Sequence, residues 1–287
     1  MSSRTQEKNA TFDALSPGTV AVECGPISMT ISASERGAPR TDAATQGARC
    51  AEALLAGLSP YVHVAKQNIM GLTASPELPE VLNLMIAAAR GTDDPTVTPM
   101  VAVAGSIADL VLGEVLAAGA TTAVVNNGGD IALRVEPGRT IRVGIAADIT
   151  TKQVICVLNV TAQSGIGGVC TSGLGGRSFT KGIASAAVAI ASSAAVADAA
   201  ATLLGNATLV DDPAVEQCPA EFIDADTDIM GHLVTVKVGP LRAEKVIKAL
   251  QQGLALGKKW VDQGMLAGVV LVVQGQMASY PQQLALE

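Results

Sequence analysis

Asp198 and Thr202 stand four residues apart in the alanine-rich run Ala195-Val-Ala-Asp-Ala-Ala-Ala-Thr-Leu-Leu-Gly205, so a helix there puts a carboxylate and a hydroxyl on one face. Two hard oxygen donors on a rigid element suit Mg²⁺ or Ca²⁺, with backbone carbonyls and a nucleotide phosphate completing the shell. The solvated stripe of an ordinary amphipathic helix has the same spacing, so the case for chemistry rests on two Gly-rich segments elsewhere in the chain. Val125-Asn-Asn-Gly-Gly-Asp-Ile131 and Cys170-Thr-Ser-Gly-Leu-Gly-Gly176 offer backbone N–H groups and little side-chain bulk, which lets a nucleotide or pyrophosphate come close. Candidate ligand contacts are therefore Asn127, Gly128, Gly129 and Asp130 in the first and Thr171, Ser172 and Gly173 in the second. Arg177 and Lys181, just beyond the second, are cations able to meet phosphates. Asn-Gly is also the commonest hairpin signal. The patterns G-x-x-x-x-G-K-[ST] and strand-linked G-x-G-x-x-G are both absent, which argues against P-loop and Rossmann sites. Convergence of the three segments on one cleft is the expectation.

The elements that must position these residues alternate along the chain. Period-two runs at 19–24 and 27–32 around Gly25-Pro26 give an opening hairpin. Asp42 is placed to cap a helix over 43–58, and Pro79 and Gly91 punctuate a second over 79–90. The apolar run 99–104 leads into a helix through residue 116, followed by a strand at 122–126. Runs 131–135 and 139–146 read as a hairpin across Glu136-Pro-Gly138, and 154–160 as a further strand. Beyond it come a strand at 184–191, a helix at 193–204, a strand at 233–238, a helix at 243–263 and a strand at 268–274. Residues 1–16 are polar and read as a flexible N-terminal tail. Residues 17–287 then form a single globular α+β unit with a mixed sheet.

Composition narrows the function classes. Aromatics are only 2% of the 287 residues against 49% hydrophobic, so the core is built from small aliphatic side chains and offers no platform for stacking bases. The net charge of -7 argues against nucleic acid as a partner. The apolar stretch 182–205 is mostly Ala and Ser and carries Asp198, so no membrane span is expected, and with no secretory signal visible the expected location is cytoplasmic. Cys24, Cys50, Cys156, Cys170 and Cys218 are scattered, which fits reduced thiols. Cys170 has no neighbouring His to activate it, and His63 and His232 read as structural or surface residues.

Five motifs in order resemble uncharacterised protein family 0280 of the ApbE-like superfamily. They are Pro99-Met-Val-Ala-Val-Ala-Gly-Ser-Ile-Ala-Asp109, Val125-Asn-Asn-Gly-Gly-Asp-Ile131, Val143-Gly-Ile145, Val169-Cys-Thr-Ser-Gly173 and Ser193-Ala-Ala-Val-Ala-Asp-Ala-Ala-Ala-Thr202. The resemblance runs from about residue 38 to the C-terminus and implies the mixed-sheet ApbE-like fold. The best-known members of that superfamily are FAD:protein FMN transferases, which use Mg²⁺ to split FAD and attach FMN to a threonine of a partner protein. Asp198 and Thr202 match the metal-binding aspartate and threonine, Ala108 matches a residue giving the metal a backbone carbonyl, and Gly128, Gly129, Ser172 and Gly173 fall where flavin nucleotide is held. Two departures stand out: Asp109 replaces a lysine, and Arg177-Ser-Phe-Thr-Lys-Gly182 replaces the expected His-Ile-x-Asp-Pro-x-Thr-Gly. The resemblance thus implies a cleft for Mg²⁺ and FAD, FMN or another nucleotide, with FMN transfer impaired. The alternatives are an accessory or catalytic component of a redox enzyme acting on a heteroaromatic or other small molecule, with a redox protein or a second copy as partner, or a small-molecule hydrolase.

Overall fold

The computed structural model describes residues 10–147, 153–176, 178–282 and 284. Strands β1 (Thr11–Ser16), β2 (Thr19–Cys24) and β3 (Ile27–Glu35) form a meander, with the short β4 (Ala38–Pro39) folded back on β3. Helices α1 (Thr41–Leu58), α2 (Val62–Ala65), α3 (Glu80–Gly91) and α4 (Val103–Ala117) follow, and then β5 (Thr122–Asn127) pairs with β3 while β6 (Asp130–Arg134) pairs with β5. Strands β7 (Thr140–Ala146) and β8 (Val154–Thr161) form a separate pair, after which β9 (Gly168–Ser172) joins β6 and β10 (Ala186–Ala191) joins β9. Helix α5 (Ala194–Asn206), a second pair β11 (Val215–Pro219) and β12 (Leu233–Val238), and helix α6 (Ala243–Asp262) lead to β13 (Gly268–Val273) and β14 (Gln276–Tyr280). The main sheet runs β1-β2-β3-β5-β6-β9-β10-β13-β14, and every pairing among the described residues is antiparallel.

The period-two alternation of the central strands sorts two cores onto the two faces. On β10, Ala187, Ala189 and Ala191 face the helices while Val188 and Ile190 face the β7–β8 pair, whose Val143, Ile145, Leu158 and Val160 cover them. The helix side therefore carries small residues, and α5 lies close on β9 and β10. Gly105 of α4 and Gly168 of β9 sit so near Ser193 and Ala194 at the start of α5 that a Cβ on either would overlap that backbone. Residues 99–117 are long and apolar enough to span a membrane, with a mean hydropathy of 1.8. In the fold this stretch includes α4, packed among α1, α3, α5 and the sheet. Trp260, the one tryptophan, is 2% exposed on α6, which packs on β13 and β14.

Three sequence expectations change. Residues 11–16 form the edge strand β1, all six exposed, because their backbone pairs with β2 rather than remaining loose. The Glu136–Gly138 turn forms, with Arg139 N donating to Glu136 O at 3.3 Å and Gly138 at φ +82°, but it joins two layers instead of closing a hairpin. Both edges of β6 are taken by β5 and β9, so β7 pairs with β8. Asp42 does not cap α1. The helix begins at Thr41, and Asp42 lies in its first turn, paired to Arg40 at 2.7 Å. Strands β9, β11 and β14 lie where no strand is legible in the sequence.

Gly168→Ala is expected to lose about 1–3 kcal/mol in denaturant unfolding, because its methyl group meets immovable backbone. Gly113→Ala, exposed on α4 with open space at its Cβ, should instead gain about 0.5–1 kcal/mol. Equal effects of the two substitutions would contradict the close α5 contact.

Candidate functional site

A cleft of about 930 Å³ opens where the β5–β6 turn, the end of β9, the start of α4 and one face of α5 meet. Each segment is placed by a local device. Gly128 (φ +69°) and Gly129 (φ +115°) make the two-residue turn between β5 and β6, and Asn126 Oδ1 accepts from Gly129 N at 2.9 Å. Asn127, 5% exposed, donates to Ala104 O at 3.3 Å, tying the turn to α4. Gly173 has φ +147°, and a Cβ there would lie 2.8 Å from Ser185 O, so the chain leaving β9 can pass this point only as glycine. Ser172 is 7% exposed and its hydroxyl has no hydrogen-bond partner among the described residues.

Helix α5 is held from the α4 side. Asp109 accepts from Ala194 N at 2.9 Å and Ala195 N at 2.8 Å, so a carboxylate binds the helix N-terminus that the helix dipole makes positive. Burial nevertheless pushes the Asp109 carboxyl above the ordinary range. One turn further on, Asp198 Oδ2 accepts from Gly105 N at 2.8 Å. Burial, and then the Asp130 carboxylate facing it, raise the Asp198 carboxyl well above the ordinary aspartate value. Thr202 and Asn206 continue the same i, i+4, i+8 stripe into the cleft.

All seven predicted ligand contacts, Asn127, Gly128, Gly129, Asp130, Thr171, Ser172 and Gly173, line this cleft together with Asp198 and Thr202. Ala108 does not line it. It is 0% exposed inside α4, where its carbonyl belongs to the helix ladder, and the α4 residues reaching the cleft are Val103, Ala104 and Ile107. Arg177 lies outside the described residues. His63 is exposed on α2 and away from the cleft. Cys170 is fully buried with Sγ 3.3 Å from Ala194 O, and burial beside three aspartates holds its thiol well above the usual range, which removes it as a nucleophile.

Sequence reading missed several parts of the wall. Asn206 was findable from its spacing to Asp198. The loop carrying Asp224, Asp226 and Asp228 was not, because it arrives through tertiary contacts. Thr98 donates to Asp228, and Lys66 pairs with Asp226 at 2.7 Å. Lys181, named from the sequence as a candidate phosphate-meeting cation, does line the cleft, and its Nζ lies 3.1 Å from His232 Nδ1. Among the described residues no cluster of three or more His, Cys, Asp or Glu side chains forms a metal cage. A cation here would draw on Asp198, Thr202, backbone and ligand oxygens, a sparse hard-oxygen set of the kind Mg²⁺ accepts.

The fold is that of the ApbE flavin transferases. The apo flavinyl transferase ApbE of Pseudomonas stutzeri aligns with a TM-score of 0.51 at 15% identity, covering 96% of this chain and 98% of that one. The ApbE protein of Thermotoga maritima gives the same values. The chain itself belongs to the ApbE-like UPF0280 family: the family model described as "AbpE bacteria" matches residues 12–279, and the UPF0280 protein of Methanopyrus kandleri is 38% identical over 181 residues, 62% of this chain and 68% of that protein. The UPF0280 protein of Methanococcoides burtonii is 41% identical over 143 residues, 50% of this chain, and the matched region spans 58% of that relative's length.

The folded protein holds the Asp198 proton more tightly than the unfolded chain does, so this site's contribution to stability falls as pH rises above the ordinary aspartate range. Asp198→Asn is therefore expected to stabilise the metal-free protein at pH 7 by about 1–3 kcal/mol, at roughly 2–4 °C per kcal/mol. It should also abolish any rise in melting temperature produced by millimolar Mg²⁺. Thermal melts with and without Mg²⁺ check both. A substitution that destabilises the metal-free protein and leaves the Mg²⁺ response intact contradicts this assignment.

Proposed function

We propose that this protein binds a flavin nucleotide, FAD in the first instance, and that Asp198 and Thr202 would hold a divalent cation that serves its diphosphate. The observation that carries this reading is the convergence of three sequence-distant segments on one cleft: the Gly128–Gly129 turn, Ser172–Gly173 and the Asp198 stripe. The kinship of the fold to flavin transferases supports it, and the cleft volume lies within the range of small-molecule sites. The residues present fit a cation, since the Asp198 carboxylate and the Thr202 hydroxyl one turn away are hard oxygen donors, and a cation would offset the negative charge that Asp130 adds nearby. When bound, Mg²⁺ would neutralise charge on the diphosphate.

The chain's own groups then have definite tasks. The positive-φ glycine turn brings backbone close to an anionic group without side-chain bulk. The unpartnered Ser172 hydroxyl is a donor available to a ligand oxygen. Backbone donors at Gly105 and Ala104 hold the Asp198 carboxylate in place, and its remaining lone pairs are what a cation would use. Asp109, standing where the transferases carry a lysine, is committed to the α5 N-terminus and contributes no cation of its own. Together with the replaced segment 177–182, this supports a cleft that binds flavin but transfers it poorly to a standard threonine acceptor.

Incubation with FAD and Mg²⁺, with and without an acceptor protein, followed by mass spectrometry, tests the reading. Cation-dependent FAD binding that falls at least tenfold in Asp198→Ala is expected, with little flavinylated peptide. Bound FAD left intact would favour the redox-associated component, whereas efficient Asp198-dependent flavinylation would make the protein a full transferase. Absence of FAD binding with and without Mg²⁺ defeats the proposal.

A further inference from the structure

Outside the Asp198 stripe, the cleft wall carries a half-buried amine, that of Lys181, whose backbone is held from both sides. Lys181 N donates to Asn206 Oδ1 at 2.8 Å, and Lys181 O accepts from both Gln217 Nε2 and Thr235 Oγ1 at 3.0 Å. The next residues are fixed as well, with Ile183 N and Ala184 N donating to Thr208 Oγ1 at 2.9 and 3.0 Å. A lysine of the cleft wall on so rigid a base is confined to few positions, and its Nζ rests 3.1 Å from His232 Nδ1. Two basic nitrogens at that distance share one proton between them: an ammonium needs His232 Nδ1 unprotonated, and a protonated Nδ1 needs a neutral amine.

The charged groups facing the pair come from three directions. Asp94 from the loop after α3 and Asp228 from the loop before β12 favour the ammonium, and Glu221 faces His232. Asp228 also accepts the Thr98 hydroxyl. Burial acts the other way on Lys181 and outweighs the two aspartates, which lowers its proton affinity.

Building on the flavin-nucleotide reading, we infer that Lys181 is the proton acceptor for an oxygen nucleophile in this cleft, with His232 as the positioning residue that holds its amine. The nucleophile is water or the hydroxyl of an acceptor. As its oxygen forms a bond to phosphorus, the diphosphate P–O bond breaks and the nucleoside monophosphate leaves with the electron pair. The O–H proton passes to the neutral Lys181 Nζ, and the resulting ammonium donates to His232 Nδ1.

Two measurements test this, and the first needs no turnover. Competitive acylation of amines across a pH series, read by peptide mass spectrometry, should show Lys181 reaching half-maximal reactivity at a lower pH than the exposed Lys248 of the same molecule, with the difference changed in His232→Gln. In the second, AMP release from FAD with Mg²⁺ should fall about 10²- to 10³-fold in Lys181→Arg and Lys181→Met, while FAD affinity stays within about threefold and the alkaline-rising limb of the wild-type pH profile disappears. A Lys181 reactivity profile that coincides with that of Lys248 and ignores His232→Gln overturns the pair, whatever FAD does. AMP release at the wild-type rate in Lys181→Arg overturns its role as base. A protein that binds no FAD defeats the flavin reading, and the acylation profile then decides the pair by itself.

Discussion

The seating of the α5 N-terminus is the constraint on which the rest of this structure depends. Gly105 and Gly168 leave room for the backbone at Ser193 and Ala194, and Asp109 supplies the carboxylate that its first N–H groups require. Neither device works without the other. The glycines permit the approach but provide no attraction, while a carboxylate this enclosed costs stability unless helix donors meet it. With that end fixed, the rise of the helix sets the heights of Asp198, Thr202 and Asn206, because each step of four residues advances the stripe by about 6 Å.

A second consequence of the close approach is the material of the core. An alanine face on β10 meets an alanine-rich α5, and Ala88, Ala102, Ala195 and Ala199 form a small contact of their own. Small side chains bury little area each, so stability here comes from dense contact between backbones over a long sheet rather than from a few large anchors. On β10 the bulkier residues sit on the opposite face beneath β7 and β8, where Val188 and Ile190 join Leu133 in an aliphatic core. The sheet thus separates a precise, tightly toleranced side bearing the cleft from a more forgiving side that provides hydrophobic burial.

Much of this was legible in the residue order, for reasons that can be named. The helical period of α3, α5 and α6 is strong, and their ends fall within two residues of the expected ones because Pro79 and Ser193 are starting residues. The Asp198–Thr202 face and the Gly128–Gly129 turn are local patterns, and both reach the cleft. Strand β9 escaped notice because its five residues begin at a glycine and end in hydroxyl side chains, so it reads as loop until β6 and β10 supply its hydrogen bonds. The β6–β7 hairpin failed for the opposite reason: the turn is strong locally, but the choice of partner strand is a tertiary matter. Lys181 and His232 are 51 residues apart, and no spacing rule connects them.

Trp260 gives the fold a practical asymmetry. It is buried on α6, a helix that contributes no residue to the cleft wall, and it is the chain's single indole. Its emission therefore reports the integrity of the β13–β14 side of the molecule. With only two tyrosines besides, the protein is almost transparent in the near ultraviolet. A yellow chromophore held in the cleft would absorb visible light that the protein itself does not, so occupancy can be read by absorbance where no side chain contributes.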